Sequence, residues 1–304
     1  MRSRPGLWAL VACVALLLGS SGCGGGGGEP RPDLVFVSTR DGDYAIFAMD
    51  ADGSREKRLT PADDSEAHDA LYFQIEPAYS PNGRLIAFAS RRGSSFDLFA
   101  MRADGTGTKQ LTSTRENDAH PSWSPDGERI VFQRGDPSHL YIMDADGSSV
   151  RRVTDDPAPE TQPAWSPDGR WIAYVRRTPG TEIREVWLVR PDGSERHPLT
   201  TLGATVDGPA WSPDGERIAF ASNDRGDRFD VYVIGVDGTG LRRLTRSTEA
   251  AFEPAWSPDG SSIALSQDGA IVVLDLATDE LRVLTDPEDN DSSPVWNPVP
   301  RPRE

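Results

Sequence analysis

A seven-residue phrase, Pro163-Ala-Trp-Ser-Pro-Asp-Gly169, recurs along the chain and limits its fold more than any other feature. It returns as Pro121-Ser-Trp-Ser-Pro-Asp-Gly127, Pro209-Ala-Trp-Ser-Pro-Asp-Gly215 and Pro254-Ala-Trp-Ser-Pro-Asp-Gly260. Pro77-Ala-Tyr-Ser-Pro-Asn-Gly83 is a variant, and Pro294-Val-Trp-Asn-Pro298 is a truncated last copy. The leading prolines follow one another at intervals of 44, 42, 46, 45 and 40 residues. A period of ~40–45 residues belongs to stacked four-stranded blades. Helical repeats would need apolar residues at helical spacing instead.

Each residue type in the phrase has a physical task. Ser-Pro-Asp-Gly is a tight turn, in which proline presets φ and glycine takes the left-handed conformation. The run that follows, such as Arg217-Ile-Ala-Phe220, has the content of a buried strand. The proline before the tryptophan cannot donate to a ladder, so its strand needs a free edge, which the channel-facing strand of a propeller blade offers. Tryptophan, or Tyr79 in the variant, supplies a flat apolar body to wedge between blades and is read as core.

The first ordered unit, Leu34-Val-Phe-Val-Ser38, lacks the phrase and begins with what would be a second strand. Six last strands end alike, at Leu59-Thr60, Leu111-Thr112, Val153-Thr154, Leu199-Thr200, Leu244-Thr245 and Leu284-Thr285, which predicts six blades. The missing first strand is expected from the last phrase, so that N- and C-terminal strands share one blade and close an all-β, six-bladed propeller. The repeats resemble the WD40-like Pro-Asp repeats of the TolB-type six-bladed propellers over residues 34–298. That resemblance implies the fold and a role in binding envelope proteins. The type member carries an α/β domain ahead of its propeller, for which this sequence leaves no room.

Residues 1–22 read as a targeting segment: Arg2 and Arg4 precede an apolar run, Leu7 to Leu18, too short to span a bilayer comfortably. With Cys23 behind it, the segment resembles a bacterial lipoprotein signal, although Ser20 stands where an aliphatic residue is usual. The resemblance makes Cys23 the lipid-carrying first residue, and the alternative is an ordinary secretion signal. Residues 23–33 form a Gly-rich tether of at most ~35 Å, and 299–304 are a tail. Gly24 is not the aspartate associated with inner-membrane retention, which favours an outer membrane where two are present. Cys23 is the one cysteine left once Cys13 departs with the signal, so no disulfide framework exists. A net charge of −16 excludes nucleic acid as a natural partner. A monomer without cofactor is expected, binding an envelope protein or peptide.

In a four-stranded blade the Ser-Pro-Asp-Gly and third-to-fourth-strand turns share one face. Linkers and second-to-third-strand loops share the other, and they vary, as binding loops on a rigid scaffold do. The linkers are acidic at Asp63 to Asp69, Glu116 to Asp118, Asp155-Asp156 and Asp286 to Asp291. The residue before each phrase should line the channel mouth on this face: Glu76, His120, Gln162, Gly208, Glu253 and Ser293. Such a ring can take a peptide end, an arginine or a metal ion, or hold water alone. The basic loop residues Arg91-Arg92, Arg134, Arg176-Arg177 and Arg225 either pair with acidic linkers of neighbouring blades or bind an anionic partner.

Sharper chemistries have less to stand on. Asp50-Ala-Asp-Gly53 and Asp144-Ala-Asp-Gly147 resemble a calcium-loop start but carry Leu59 and Val153 where the bidentate glutamate belongs, so they read as hairpin turns. No Gly-x-Ser-x-Gly elbow exists. Some pectate-degrading lyases resemble these propellers and place a metal among histidines. Of His68, His120, His139 and His197, only the first two are expected on one face, where they are weak zinc or manganese ligands. The chain is therefore expected to be no enzyme, with a metal-dependent carbohydrate lyase or hydrolase as the alternative.

Overall fold

The computed structural model describes residues 32–61, 73–226, 228–246 and 248–299. The signal segment, Cys23, the tether as far as residue 31, the linker stretch with His68 and the tail from residue 300 lie outside these.

Six antiparallel sheets of four strands make up the described residues. Blade 2 runs outward through Phe73–Tyr79, Leu85–Arg91, Phe96–Arg102 and Lys109–Gln110. Blade 3 comprises Asp118–Trp123, Arg129–Arg134, His139–Asp144 and Arg151–Arg152. Blade 4 comprises Glu160–Trp165, Ile172–Arg177, Arg184–Val189 and His197–Pro198. Blade 5 follows with Val206–Trp211, Arg217–Ser222, Asp230–Gly235 and Arg242–Arg243, and blade 6 with Ala251–Trp256, Ser262–Gln267, Ala270–Asp275 and Leu281–Val283. Blade 1 is composite. Its innermost strand, Ser292–Trp296, comes from the chain's end and pairs with Leu34–Ser38, matching Leu34 to Trp296 and Val35 to Val295. Ala45–Met49 and Lys57–Arg58 complete it.

The core is a series of seams. Each of six apolar clusters joins two successive blades around the ring. Side chains alternate across a strand, so each second strand presents two different faces. In blade 2, Ile86 and Phe88 face blade 1, while Ala87 and Ala89 face blade 3 and receive Ile130 and Phe132. Ala219 of blade 5 meets Ile263 and Leu265 of blade 6 in the same way, and Ala264 of blade 6 meets Leu34 and Phe36 of blade 1. Small against large at each of these seams lets sheets approach to interior density. Trp123, Trp165 and Trp256 are buried in these seams. The indoles of Trp123, Trp211 and Trp256 donate at 3.0–3.2 Å to the carbonyl of Ala78, Ala164 or Ala210 in the preceding blade.

Short-range chemistry repeats with the blades. In the phrase, the glycine N–H returns to the serine carbonyl at 2.8–3.0 Å in all five complete copies. The Ser257 hydroxyl and the Ser261 N–H hold the Asp259 carboxyl down to about 2. Threonine at each blade's end accepts, through Oγ1, an N–H near the start of its own third strand, at 2.9–3.2 Å in all six blades. The Asp-Gly hairpins press on the preceding blade. At Gly147, φ is 93° and an added Cβ would stand 2.4 Å from the Leu111 carbonyl oxygen, so glycine is required twice over. Cations of the outermost strands reach across the next seam: Lys109 Nζ donates to Asp146 O at 2.8 Å, Arg151 to Pro191 O at 2.9 Å and Arg282 to Ala51 O at 2.8 Å.

Candidate functional site

The innermost strands wall a central cavity of about 420 Å³, lined by the phrase's prolines and aromatic rings together with the six ring residues. All six have left-handed backbone: Glu76 (φ 58°), His120 (51°), Gln162 (53°), Gly208 (57°), Glu253 (52°) and Ser293 (52°). Five of these are not glycine, and that conformation is uncommon and costly for them. The cause is a β-bulge at the residue ahead of each proline. Each innermost strand slips register against its neighbour at this point, as between Ala119 and Ser122 or Thr161 and Ala164. The extra residue of such a bulge swings its own N–H out of the ladder.

The freed N–H groups are captured across the seams. His120 N–H donates to Glu76 Oε2 at 2.6 Å, Gly208 N–H to Gln162 Oε1 at 3.1 Å and Ser293 N–H to Glu253 Oε2 at 2.7 Å. Acceptor side chains thus sit on alternate ring positions, in blades 2, 4 and 6. Where the preceding ring residue is His120, Gln133 takes the Gln162 N–H at 3.0 Å. Glu253 also accepts from Ser266 Oγ (2.8 Å) and Ser293 Oγ (2.9 Å). His120 Nδ1 lies 3.1 Å from Glu76 Oε2.

One ring neighbour escaped sequence reasoning. Asp207, just before Gly208, is bonded by the Gln162 side chain and sits close enough to Glu76 and Glu253 to feel both. Burial raises the Asp207 carboxyl above the ordinary range and the Glu253 charge adds to it, against the Gln162 hydrogen bond and the His120 ring. Glu76 is raised likewise, by burial first and then by Glu253 and Asp207, against the opposing effect of His120. The signal was present in the sequence: where Asp207 stands, the other copies have Ile75, Ala119, Thr161, Phe252 and Ser292.

Several expectations need correction. The acids at linker ends are partly internal: Asp118 is fully buried and clamped bidentately by Arg134 at 2.6 and 2.8 Å, and Asp291 is buried against Arg40 at 2.8 Å. Of the two alternatives for the basic loop residues, pairing with acidic linkers holds for Arg176 with Asp156 (2.9 Å) and Arg134 with Asp118, while Arg177 pairs with Glu182 (3.2 Å) and Arg225 with Asp224 (3.5 Å) inside their own blades. Arg92 covers the Phe99 ring instead. His139, expected away from the linker face, lies at the linker end of its strand, 3.7 Å from the buried Glu160. His197 lies on an outermost strand, edge-on to Trp171. As for a metal, His120 and Glu76 offer two donors, and among the described residues no three His, Cys, Asp or Glu side chains stand close enough to share an ion.

The Pro-Asp repeat family described as the TolB beta propeller domain matches residues 65–202 and again 133–270. The TolB homolog of Chlorobium luteolum is 32% identical over 33% of this chain and 31% of its own length. An uncharacterized protein of Agrobacterium fabrum is also 32% identical over 33% of this chain and 31% of its own. The matches therefore span about a third of these relatives. Among solved structures, TolB of Acinetobacter baumannii superposes with a TM-score of 0.74 over 88% of this chain and 66% of its own, at 20% identity. An oligogalacturonate lyase in complex with manganese superposes at 0.55 over 83% and 73%, at 19% identity. Identities this low establish the fold alone.

Proposed function

The chain belongs to the TolB β-propeller family, and on that premise we propose that it is a non-catalytic, membrane-anchored envelope lipoprotein whose linker face binds a protein or peptide. One observation carries this reading: Glu76 and Asp207 are gathered around the channel mouth with Glu253 and His120, and burial, with the Glu253 charge added, raises the carboxyls of Glu76 and Asp207. Like charges held together on a rigid ring are costly when empty and relieved by a cationic group of a partner. Relatives named as Tol-Pal system TolB proteins support the envelope setting. The lipid on Cys23, an outer-membrane location and a monomeric state belong to the same proposal.

Capture from envelope extract tests it, with residues 33–304 as bait beside a Glu76→Gln/His120→Gln/Glu253→Gln variant that removes charge and keeps hydrogen-bond acceptors at the ring. A protein retained by the first and lost by the second supports the reading, whereas identical capture refutes it. Cys23→Ala should release the full chain from the membrane fraction. The second reading, a metal-dependent carbohydrate lyase, is motivated by the lyase's shared fold. It requires stoichiometric metal that His68→Ala and His120→Ala remove.

A further inference from the structure

A second cavity, of about 720 Å³, opens on the linker face where blades 5, 6 and 1 meet, and it shares Glu253 with the channel mouth. Its lining includes Asp207, Glu249, Glu253, Asp268 and Asp291 and, among the described residues, neither Lys, Arg nor His. Two aromatic residues, Tyr44 and Phe252, complete the wall. Tyr44 is 42% exposed, with its ring 4.8 Å from that of Phe73, and Phe252 is held by Phe229 at 4.8 Å. Both rings are thus fixed by a second ring outside the cavity.

The buried acid is incompletely served. The Asp291 side chain is fully buried; Arg40 reaches its Oδ2 at 2.8 Å and the Ser38 and Thr285 hydroxyls bear on the carboxyl, while no donor stands in hydrogen-bond geometry to Oδ1. A carboxylate oxygen out of water and without a donor costs more than an exposed one. A ligand bringing N–H donors into this space would relieve that cost, since the remaining nitrogens and the plane of Arg40 are taken by Glu56, Ser38 and the faces of Phe36 and Phe47.

We infer that this cavity is a pocket for a guanidinium or ammonium group on a side chain of the polypeptide partner. Aromatic faces attract organic cations, and carboxylates accept their N–H donors. Bare metal ions use the acids but gain nothing from the rings, and neutral ligands gain nothing from the acids. The volume suits a long side chain together with part of its backbone. Because Glu253 lines both spaces, a chain anchored here by one basic residue passes directly to the channel mouth. This assignment rests on the peptide-binding reading of the linker face and adds what that partner must carry.

The test is titration of the full chain with N-acetyl-arginine amide, beside the neutral isostere N-acetyl-citrulline amide, followed by calorimetry and tyrosine fluorescence. Saturable binding of the arginine compound is expected, at least tenfold tighter than the citrulline compound. Tyr44→Ala and Asp268→Asn, both at exposed positions, should each weaken it at least fivefold with unchanged circular dichroism. Equal binding of the two compounds, or binding indifferent to both substitutions, overturns the inference, because general attraction to an acidic chain behaves that way. N-acetyl-lysine amide and free agmatine form further arms: tighter binding of agmatine would assign the pocket to a free amine and refute the side-chain assignment. Envelope capture without a partner, alongside specific arginine binding, would refute the partner reading and leave the pocket standing.

Discussion

Glu76 in blade 2 accepts the backbone N–H of His120 in blade 3 at 2.6 Å, so a carboxylate that reads as a binding group also fastens a seam. Removing the acceptor leaves a half-buried N–H without its partner, at a cost of about 1–2 kcal/mol. Glu76→Ala should lower the urea midpoint accordingly, whereas Glu76→Gln, which keeps an acceptor and sheds a charge disfavoured by burial, should hold or raise it. Equal losses in the two variants would show that the charge, and not the hydrogen bond, matters.

Glu160 is wholly buried, and burial raises its carboxyl to about 7 despite Thr154 and Arg196. The folded state keeps this proton where the unfolded chain has lost it. The group's stabilising contribution is therefore full below about pH 4.5, falls as pH climbs to about 7, and is level beyond, a change on the order of 3 kcal/mol. Unfolding free energies at pH 5 and pH 8 should show Glu160→Gln losing this fall. A wild type and variant that differ equally at both values would refute it.

Gly147 and Gly42 share almost the same backbone, φ 93° and 91°, but an added Cβ at Gly42 meets nothing within 4 Å. Gly42→Ala should cost about 1 kcal/mol from conformation alone. Gly147→Ala must also push the Leu111 carbonyl away and should cost at least about 3 kcal/mol. Thermal unfolding of the pair isolates what the seam adds.

Ala219 receives Ile263 and Leu265 of the next blade. Ala219→Leu should overpack that seam by about 1–3 kcal/mol or more, while Ala219→Gly leaves room and loses less contact area. Denaturant midpoints for the two substitutions give the order directly.

The blades, their number and the closing strand were legible because turn chemistry repeats with the phrase: Ser-Pro-Asp-Gly writes the same hairpin wherever it stands. The six mouth positions were legible for the same reason, each standing just before a proline. The Glu76–His120 bond was not, since it depends on a neighbour about 44 residues away that only the stacking of successive blades brings near. The burial of Asp118 and Asp291 among the linker acids was not legible either, because nothing local marks the arginine that reaches each of them. Tyr44 and Phe252 look like ordinary strand aromatics until the sheet shows which end of the strand they occupy.

The composite blade also has a mechanical meaning. The chain enters the ring at Leu34–Ser38, which is flanked by Ala45–Met49 on one side and Ser292–Trp296 on the other. Asn297 binds back to Pro32 O at 3.2 Å and, through its N–H, to Asp33 O at 2.8 Å. A pull applied ahead of residue 32 is thus borne by a strand with a ladder on each side and a knot of hydrogen bonds at its entrance. An edge strand in that place would peel one bond at a time. Here two ladders must shear together, which is the stronger way to load a sheet.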